Sequence, residues 1–173
     1  MIKEYKIDNK TKRKFLLKIL LELFIYNSLF MLGVVYFKNI RDIELIMMLI
    51  LTLTIIWTIL TVIPLLLLYF NHMKHAKLVI LKFDSSSNLF FFNDFYGSSV
   101  FKIEDIEKVI LYLSPSSYEK WVDWLFFGKY HFSVINLKNG KSITISCLVC
   151  DEIEKLIPEN LIERKKKVIP LIE

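Results

Sequence analysis

The sequence has few of the residues that disulfide-rich folds and phosphate-binding loops require. Its 173 residues include two cysteines, four glycines and four prolines. Two cysteines only three positions apart, Cys147 and Cys150, make no disulfide framework, so we expect a reducing compartment. The scattered glycines form no Gly-rich phosphate loop, and no nucleophile, base and acid stand at a known catalytic spacing. We therefore expect no enzyme, no cofactor and no metal site.

A long stretch without charge dominates the sequence. Residues 45–70 contain no Asp, Glu, Lys or Arg, and about 18 apolar residues in a row indicate a membrane-spanning helix. A second apolar run covers residues 19–37 and follows a basic lead at residues 1–18, which has seven basic and two acidic side chains. Because the link at residues 38–44 is short, the sequence predicts an antiparallel transmembrane hairpin over residues 19–70.

The distribution of positive charge predicts the orientation of this hairpin. The link contains Lys38 and Arg41, whereas the N-terminal flank holds five basic residues and the segment after the second run holds Lys74, Lys77 and Lys82. Basic residues accumulate on the cytoplasmic side of membrane helices. We therefore expect a multi-pass protein of the plasma (inner) membrane with both termini in the cytoplasm.

Polar side chains within the two runs are candidates for contacts between helices. Glu22 is the one charge in the first run, and an ionisable group at membrane depth is a functional-site hypothesis by default. We expect the polar groups to face one another and to hold the hairpin together, or to hold it to another copy. They are Glu22, Tyr26, Asn27, Thr54, Thr58 and Thr61. Proton or ion handling by Glu22 is the alternative.

After residue 71 the hydrophobic pattern becomes that of β-strands. The predicted strands are residues 78–83, 89–95, 100–103, 106–113, 129–137 and 141–147. Turn-forming residues at 84–88 and the Asn139-Gly140 pair predict hairpins. Residues 151–157 have helical spacing and end before Pro158, which predicts a helix there.

Three segments of the C-terminal half carry a family resemblance. They are the turn at Asp84–Asn88, FKIEDIEKVIL at 101–111, and INLKNGKSITIS at 135–146 with the helix expected after it. In these features the chain resembles the bacterial pleckstrin-homology-like domains of small membrane-anchored proteins. The resemblance implies an α+β membrane protein in which a bent antiparallel β-sheet or barrel, capped by a C-terminal helix, forms a cytoplasmic domain at residues 71–173 with a charged tail. It also implies a non-catalytic module that places proteins at membranes or binds other proteins.

One feature departs from the lipid-binding members of that family. Those members place several basic residues on the first strand and the loop after it. Here Lys82 is the only basic residue from Leu78 to Asn88, and Asp84 opens the loop. We therefore expect no charge-assisted binding of a phosphorylated inositol by this loop.

Two clusters in the domain are candidate contacts with the membrane or a protein partner. Aromatic residues flanked by lysines suit a loop that enters the headgroup region, a docking patch or, alternatively, the core. The aromatic cluster is Trp121, Trp124, Phe126 and Phe127, and the basic cluster is Arg164, Lys165, Lys166 and Lys167. Residues 71–173 carry fourteen basic and thirteen acidic side chains, which argues against nucleic acid as a partner.

Three functional hypotheses follow from the sequence. The first is a membrane-anchored module that binds membrane lipid, a protein partner or a second copy. The second is an immunity or regulatory membrane protein that acts through its helices. The third is a small transporter or redox accessory subunit that uses Glu22 or Cys147. We expect the cysteines to be core residues, with a Cys2His2 zinc site that includes His72 and His75 as the alternative.

Overall fold

The computed structural model divides into two compact units. The β unit contains the first strand and the chain from Leu67 onward, and the helical unit lies within residues 9–66. The structure describes residues 2–7, 12–13, 16–17, 20–21, 24–25, 28, 32–33, 43–121 and 127–172.

Eight strands and two α-helices have defined bounds within the described chain, where turns and short 3-10 helices join them. In chain order they are β1 (Ile2–Lys6), α1 (Ile43–Ala76), β2 (Ile80–Asp84), β3 (Leu89–Asp94), β4 (Gly97–Lys102), β5 (Ile106–Leu113), α2 (Pro115–Glu119), β6 (Phe132–Leu137), β7 (Ser142–Ser146) and β8 (Ile162–Lys166). The 3-10 helices are Ile103–Asp105, Phe127–Lys129, Ile153–Lys155 and Glu159–Leu161.

Strands β1 to β4 form one antiparallel sheet in sequence order. Phe90 lies opposite Phe83 on one side and Phe101 on the other. The ring centroids are 4.5 Å apart in the first pair and 5.2 Å apart in the second. Cross-strand aromatic pairs of this kind stabilise a sheet and fix its register. The hairpin predicted around residues 84–88 is confirmed.

The second sheet has the order β7-β6-β5-β8. The β6–β7 hairpin turns at Gly140, which has a φ of 83° and so occupies the region that glycine tolerates best. This confirms the predicted Asn139-Gly140 turn. Strand β8 pairs in parallel with β5, so the charged segment expected as a tail is partly a strand of this sheet.

The predicted C-terminal helix is wrong. Residues 151–157 form turns around the short 3-10 helix Ile153–Lys155. Two of their apolar side chains, Ile153 and Ile157, are buried. The apolar spacing that predicted a helix therefore reflects the packing of these side chains into the core. The segment is also too short to gain much from helix propagation before Pro158 stops it.

The end of α1 packs within the β unit. Leu68, His72 and Ala76 have no exposed surface, and they lie on one face at helical spacing. Leu67–Ala76 therefore belongs to the folded module, and α1 extends beyond the predicted residues 45–70 at both ends.

Among the described residues, one helix is long and apolar enough to cross a membrane, with its candidate span at Leu51–Ala76. The first predicted helix, residues 19–37, falls mostly outside the described residues. Those that are described between 20 and 33 have helical backbone. The described chain thus supports one apolar helix of spanning length and does not show the predicted two-helix hairpin.

The predicted basic lead at residues 1–18 contains strand β1. Its five residues pair with β2, and Glu4 lies opposite Lys82 with its carboxylate 2.9 Å from the lysine Nζ. The β unit consequently includes residues from the start of the chain as well as those after Leu67.

Candidate functional site

A pocket of about 510 Å³ opens on one end of the β unit. Three parts of the chain form it: the end of α1 with the start of β2, the β3–β4 turn, and the start of β7. The lining residues that the argument uses are Lys74, Lys77, Leu78, Phe95, Tyr96 and Lys141. A concave site assembled from three separate segments is a usual place for a ligand.

The charges around this basic pocket are mostly positive. Lys74, Lys77 and Lys141 line it, and within the described part of the chain none of these three lysines forms an ion pair with a carboxylate. Lys141 Nζ donates a hydrogen bond to Ser99 Oγ. The acidic lining residue is Asp94, and its Oδ1 accepts hydrogen bonds from the backbone N–H groups of the β3–β4 turn at 2.8 and 3.0 Å. An excess of positive charge in a concave site attracts anions.

Exposed apolar side chains border the basic pocket. Tyr96 is 93% exposed, Phe95 is 78% exposed and Leu78 is 57% exposed. The two aromatic rings sit edge to face, with centroids 5.6 Å apart. Apolar tips beside lysines match the boundary between the headgroups and the acyl chains of a membrane.

A family model described as a PH domain matches residues 4–156. The chain belongs to the PH domain family. Comparison with curated proteins and with solved structures gives no significant match. The matched range begins in β1 and includes the helical segment between β1 and β2, and it ends before β8. PH domains are in general non-catalytic interaction modules for lipids or proteins, and the prediction of a PH-like domain from sequence is confirmed.

The predicted aromatic cluster lies only partly within the described chain of this PH domain. Trp121 follows α2 and is 71% exposed. Trp124 and Phe126 lie outside the described residues, as does the side chain of Phe127, whose backbone begins a 3-10 helix. None of the described members lines the basic pocket. Contact with a membrane or partner through this cluster stays a prediction.

The predicted basic cluster, Arg164 to Lys167, lies on and just after β8, where acidic side chains surround it. Arg164 contacts Glu154 and Glu159, Lys165 is 3.2 Å from Glu163, and Lys166 contacts Glu119. Lys167 Nζ donates to the Leu171 carbonyl oxygen at 2.8 Å and lies over the Phe132 ring. The cluster is therefore largely neutralised by its neighbours, and its proposed contact with lipid or a partner remains a prediction.

The predicted polar contacts between helices fall largely outside the described residues. This applies to Glu22, Tyr26, Asn27 and the side chain of Thr61. The Thr58 hydroxyl donates to the Thr54 carbonyl oxygen at 2.8 Å, one turn earlier in the same helix. A hydroxyl satisfied in this way needs no partner on a second helix.

The two cysteines are buried in the β unit. Burial raises the pKa of Cys147 to about 12 and that of Cys150 to about 11. A redox thiol reacts as the thiolate, and at these pKa values both side chains are protonated at neutral pH. Cys147 Sγ is 3.8 Å from His72 Nδ1, but among the described residues no group of three or more potential metal ligands gathers.

Sequence analysis missed the basic pocket because its lysines lie on different elements. Sequence analysis expected the basic residues of a lipid-binding site on the first strand and the loop after it, at Leu78–Asn88. The three lysines of the pocket lie outside this range. Two signals were present: Lys74 and Lys77 at the end of the apolar run, and Lys141 directly after the Asn139-Gly140 turn. Both sets flank the ends of strands, and the fold brings them to the same end of the β unit.

Proposed function

We propose that this PH domain is held at a membrane by its inserted helices and binds an anionic lipid headgroup in the basic pocket. The observation that carries the proposal is the convergence of Lys74, Lys77 and Lys141 with no carboxylate paired to them among the described residues. The exposed Phe95 and Tyr96 beside them supply the apolar contacts that a lipid offers and a free anion does not.

The pairing of β1 with β2 supports membrane anchoring by two crossings. Lys6 lies opposite Ile80 in the sheet, so the chain between them leaves and returns at neighbouring points. If α1 crosses a membrane, residues before it must cross as well, because a single crossing would put β1 and β2 on opposite sides. The apolar run at residues 19–37 is the candidate for that other crossing.

The length of α1 also fits this arrangement. The part that precedes Leu67 has about 24 residues and extends about 36 Å, against a hydrocarbon core of about 30 Å. A crossing confined to this part would leave the buried face of Leu68 and His72 to the β unit. The excess of basic residues at the chain start and after α1 supports a cytoplasmic location of both termini and the β unit.

Site-directed labelling tests this topology in intact bacterial cells. Asn39→Cys, in the link between the runs, should react with a membrane-impermeant maleimide added from outside. Asn160→Cys, on the surface of the β unit, should react only after the cells are permeabilised. The unaltered protein is the control, because its two thiols are buried. Labelling of both positions from the same side would contradict the hairpin.

Titration of the detergent-solubilised full chain with short-chain lipids tests the ligand. Phosphatidylglycerol with two six-carbon chains should bind at least ten times more tightly than the matched phosphatidylcholine. Each lysine near an anionic surface contributes about 1 kcal/mol, so the combined Lys74→Glu, Lys77→Glu and Lys141→Glu changes should weaken phosphatidylglycerol binding about 100-fold.

The control variant is Lys138→Glu, an exposed lysine on the same β6–β7 turn that does not line the pocket. Its affinity should match that of the unaltered chain. Glycerophosphoglycerol, which has the phosphodiester headgroup and its single negative charge without acyl chains, should bind more weakly because it has no acyl chains to contact Phe95 and Tyr96. Equal affinity of the unaltered chain for the two lipids would refute the proposal.

A further inference from the structure

The chain after β8 is attached to the rest of the β unit in an unusual way. Strand pairing with β5 ends at Lys167, whose N–H donates to the Leu113 carbonyl oxygen at 2.8 Å. Beyond it, residues 168–172, with the sequence VIPLI, belong to no strand. We call them the C-terminal segment. They lie beyond the range that matches the PH domain family.

Two consecutive side chains of α1 hold the backbone of the C-terminal segment. The Asn71 side chain accepts a hydrogen bond from the Ile172 N–H at 2.8 Å and donates one to the Ile172 carbonyl oxygen at 2.9 Å. It therefore contacts both polar groups of one residue, as a neighbouring strand would.

The His72 ring holds the segment one step earlier. Its Nε2 lies 2.8 Å from the Pro170 carbonyl oxygen, and because a carbonyl can only accept, the hydrogen is on Nε2. Nδ1 then accepts from the Ser146 hydroxyl at 2.8 Å, and Ser146 Oγ in turn accepts from the Leu148 N–H at 3.2 Å. The chain of hydrogen bonds fixes the ring in the orientation that receives the segment.

Alternate side chains of the segment enter the β unit. Pro170 and Ile172 are buried, whereas Val168 is 72% and Leu171 is 36% exposed. Beside Ile172 a cleft of about 360 Å³ remains open along the Tyr112 and Phe132 rings. The groove is thus longer than the part of it that the segment fills.

This pattern is that of a docked peptide. Asn71 and His72 bind the backbone of the segment, and the groove buries the side chains of Pro170 and Ile172. Grooves recognise extended peptides in this way. No strand ladder continues past Lys167, so the segment can leave without breaking the sheet.

We propose that the groove formed by Asn71, His72 and the Tyr112–Phe132 face is a peptide-docking site, occupied in this chain by its own C-terminal segment. The partner that fits it is an extended peptide of a second protein with a proline followed two positions later by isoleucine. The segment occupies the site until such a peptide displaces it. This inference does not depend on the basic pocket.

The test is fluorescence polarisation with a labelled KVIPLI peptide and the chain ended after Lys167, in detergent micelles. The shortened chain should bind the peptide saturably. The full chain should bind it at least ten times more weakly, because its own segment competes at high effective concentration. Peptides with isoleucine changed to aspartate at the position of Ile172 should not bind, whereas the same change at the position of Leu171 should have little effect.

Two further variants test the groove and the segment separately. Asn71→Ala in the shortened chain should weaken peptide binding at least tenfold. If the shortened chain does not fold, Ile172→Asp in the full chain removes the segment from its socket without altering length, and that variant should bind the peptide. A folded shortened chain, or a folded Ile172→Asp chain, that binds no peptide would overturn the proposal.

Discussion

Two basic regions of the β unit contain similar numbers of positive side chains and differ in what surrounds them. Arg164 to Lys167 are consecutive in sequence, and acidic side chains lie within ion-pair distance of the first three. The lysines of the basic pocket lie on α1, on the turn after it and at the start of β7, and among the described residues no carboxylate pairs with them. Density of charge along the sequence is therefore a poor guide to where an anion binds.

The physical reason lies in the strand geometry of β8. Helix α2 and the two 3-10 helices before β8 supply Glu119, Glu154 and Glu159 to a strand whose side chains are mostly exposed. At the basic pocket three separate segments meet and bring three lysines together, and the acid among the lining residues, Asp94, accepts hydrogen bonds from the backbone of its own turn. The cations around β8 are paired with acids of the same chain, whereas the lysines of the basic pocket remain available to a ligand.

The largest expected effect comes from removing the acids around β8. In a chain that already carries Lys74→Glu, Lys77→Glu and Lys141→Glu, we expect Glu154→Gln, Glu159→Gln and Glu163→Gln to raise phosphatidylglycerol binding at least tenfold. The amides keep the shape and remove three negative charges, which leaves Arg164 and Lys165 without the carboxylates that they contact. Isothermal titration calorimetry with short-chain phosphatidylglycerol measures this change in affinity. No gain would mean that the acids do not explain the difference between the two regions.

A smaller effect is expected from salt. Raising the sodium chloride concentration from about 0.1 to 0.3 M shortens the screening length and should weaken phosphatidylglycerol binding by the unaltered chain about fivefold. Binding of phosphatidylcholine, which has no net charge, is the control and should change little. An affinity for phosphatidylglycerol that is independent of salt would show that the apolar residues Phe95 and Tyr96 provide most of the binding.

The strands with alternating apolar residues and clear turns could be predicted from sequence. β2, β3, β6 and β7 belong to this group, because short connections carry Asp, Asn, Gly or Ser and burial follows a period of two over most of each strand. Their register follows from the turns. β5 is predicted instead from its apolar run IEKVILYL, in which three consecutive residues are buried.

Two of the edge strands, β1 and β8, could not be predicted in this way. β1 has the sequence IKEYK and β8 has IERKK, so both look polar, as strands at the edge of a sheet often do. Their partners, β2 and β5, are far away in sequence, and nothing local signals the pairing. The groove for the C-terminal segment follows the pairing of β8 with β5, and the basic pocket needs α1, the β3–β4 turn and β7 to meet. Nothing local in the sequence signals either arrangement.

The smallest expected effect tests the neutralised region directly. The hydrogen bond from Arg164 lowers the pKa of Glu159 below its usual 4.5, so Arg164→Met should raise that pKa toward 4.5. A carboxyl whose pKa is lower in the folded state contributes stability above pH 4.5 and loses this contribution as the pH falls through its folded pKa. The unaltered chain should therefore be slightly more stable than the variant at pH 7, and the difference should shrink at acidic pH.

Urea unfolding midpoints in detergent micelles at neutral and acidic pH measure this difference, and carbon-13 NMR of labelled glutamate follows the pKa of Glu159. Lys165→Met is the matched control, since Lys165 contacts Glu163 at 3.2 Å and does not touch Glu159; it should leave that pKa unchanged. A stability difference of the same size at both pH values would mean that Arg164 acts through the packing of its alkyl chain. In that case β8 would be held by apolar contact, and neutralisation by acids would not be the property that separates it from the basic pocket.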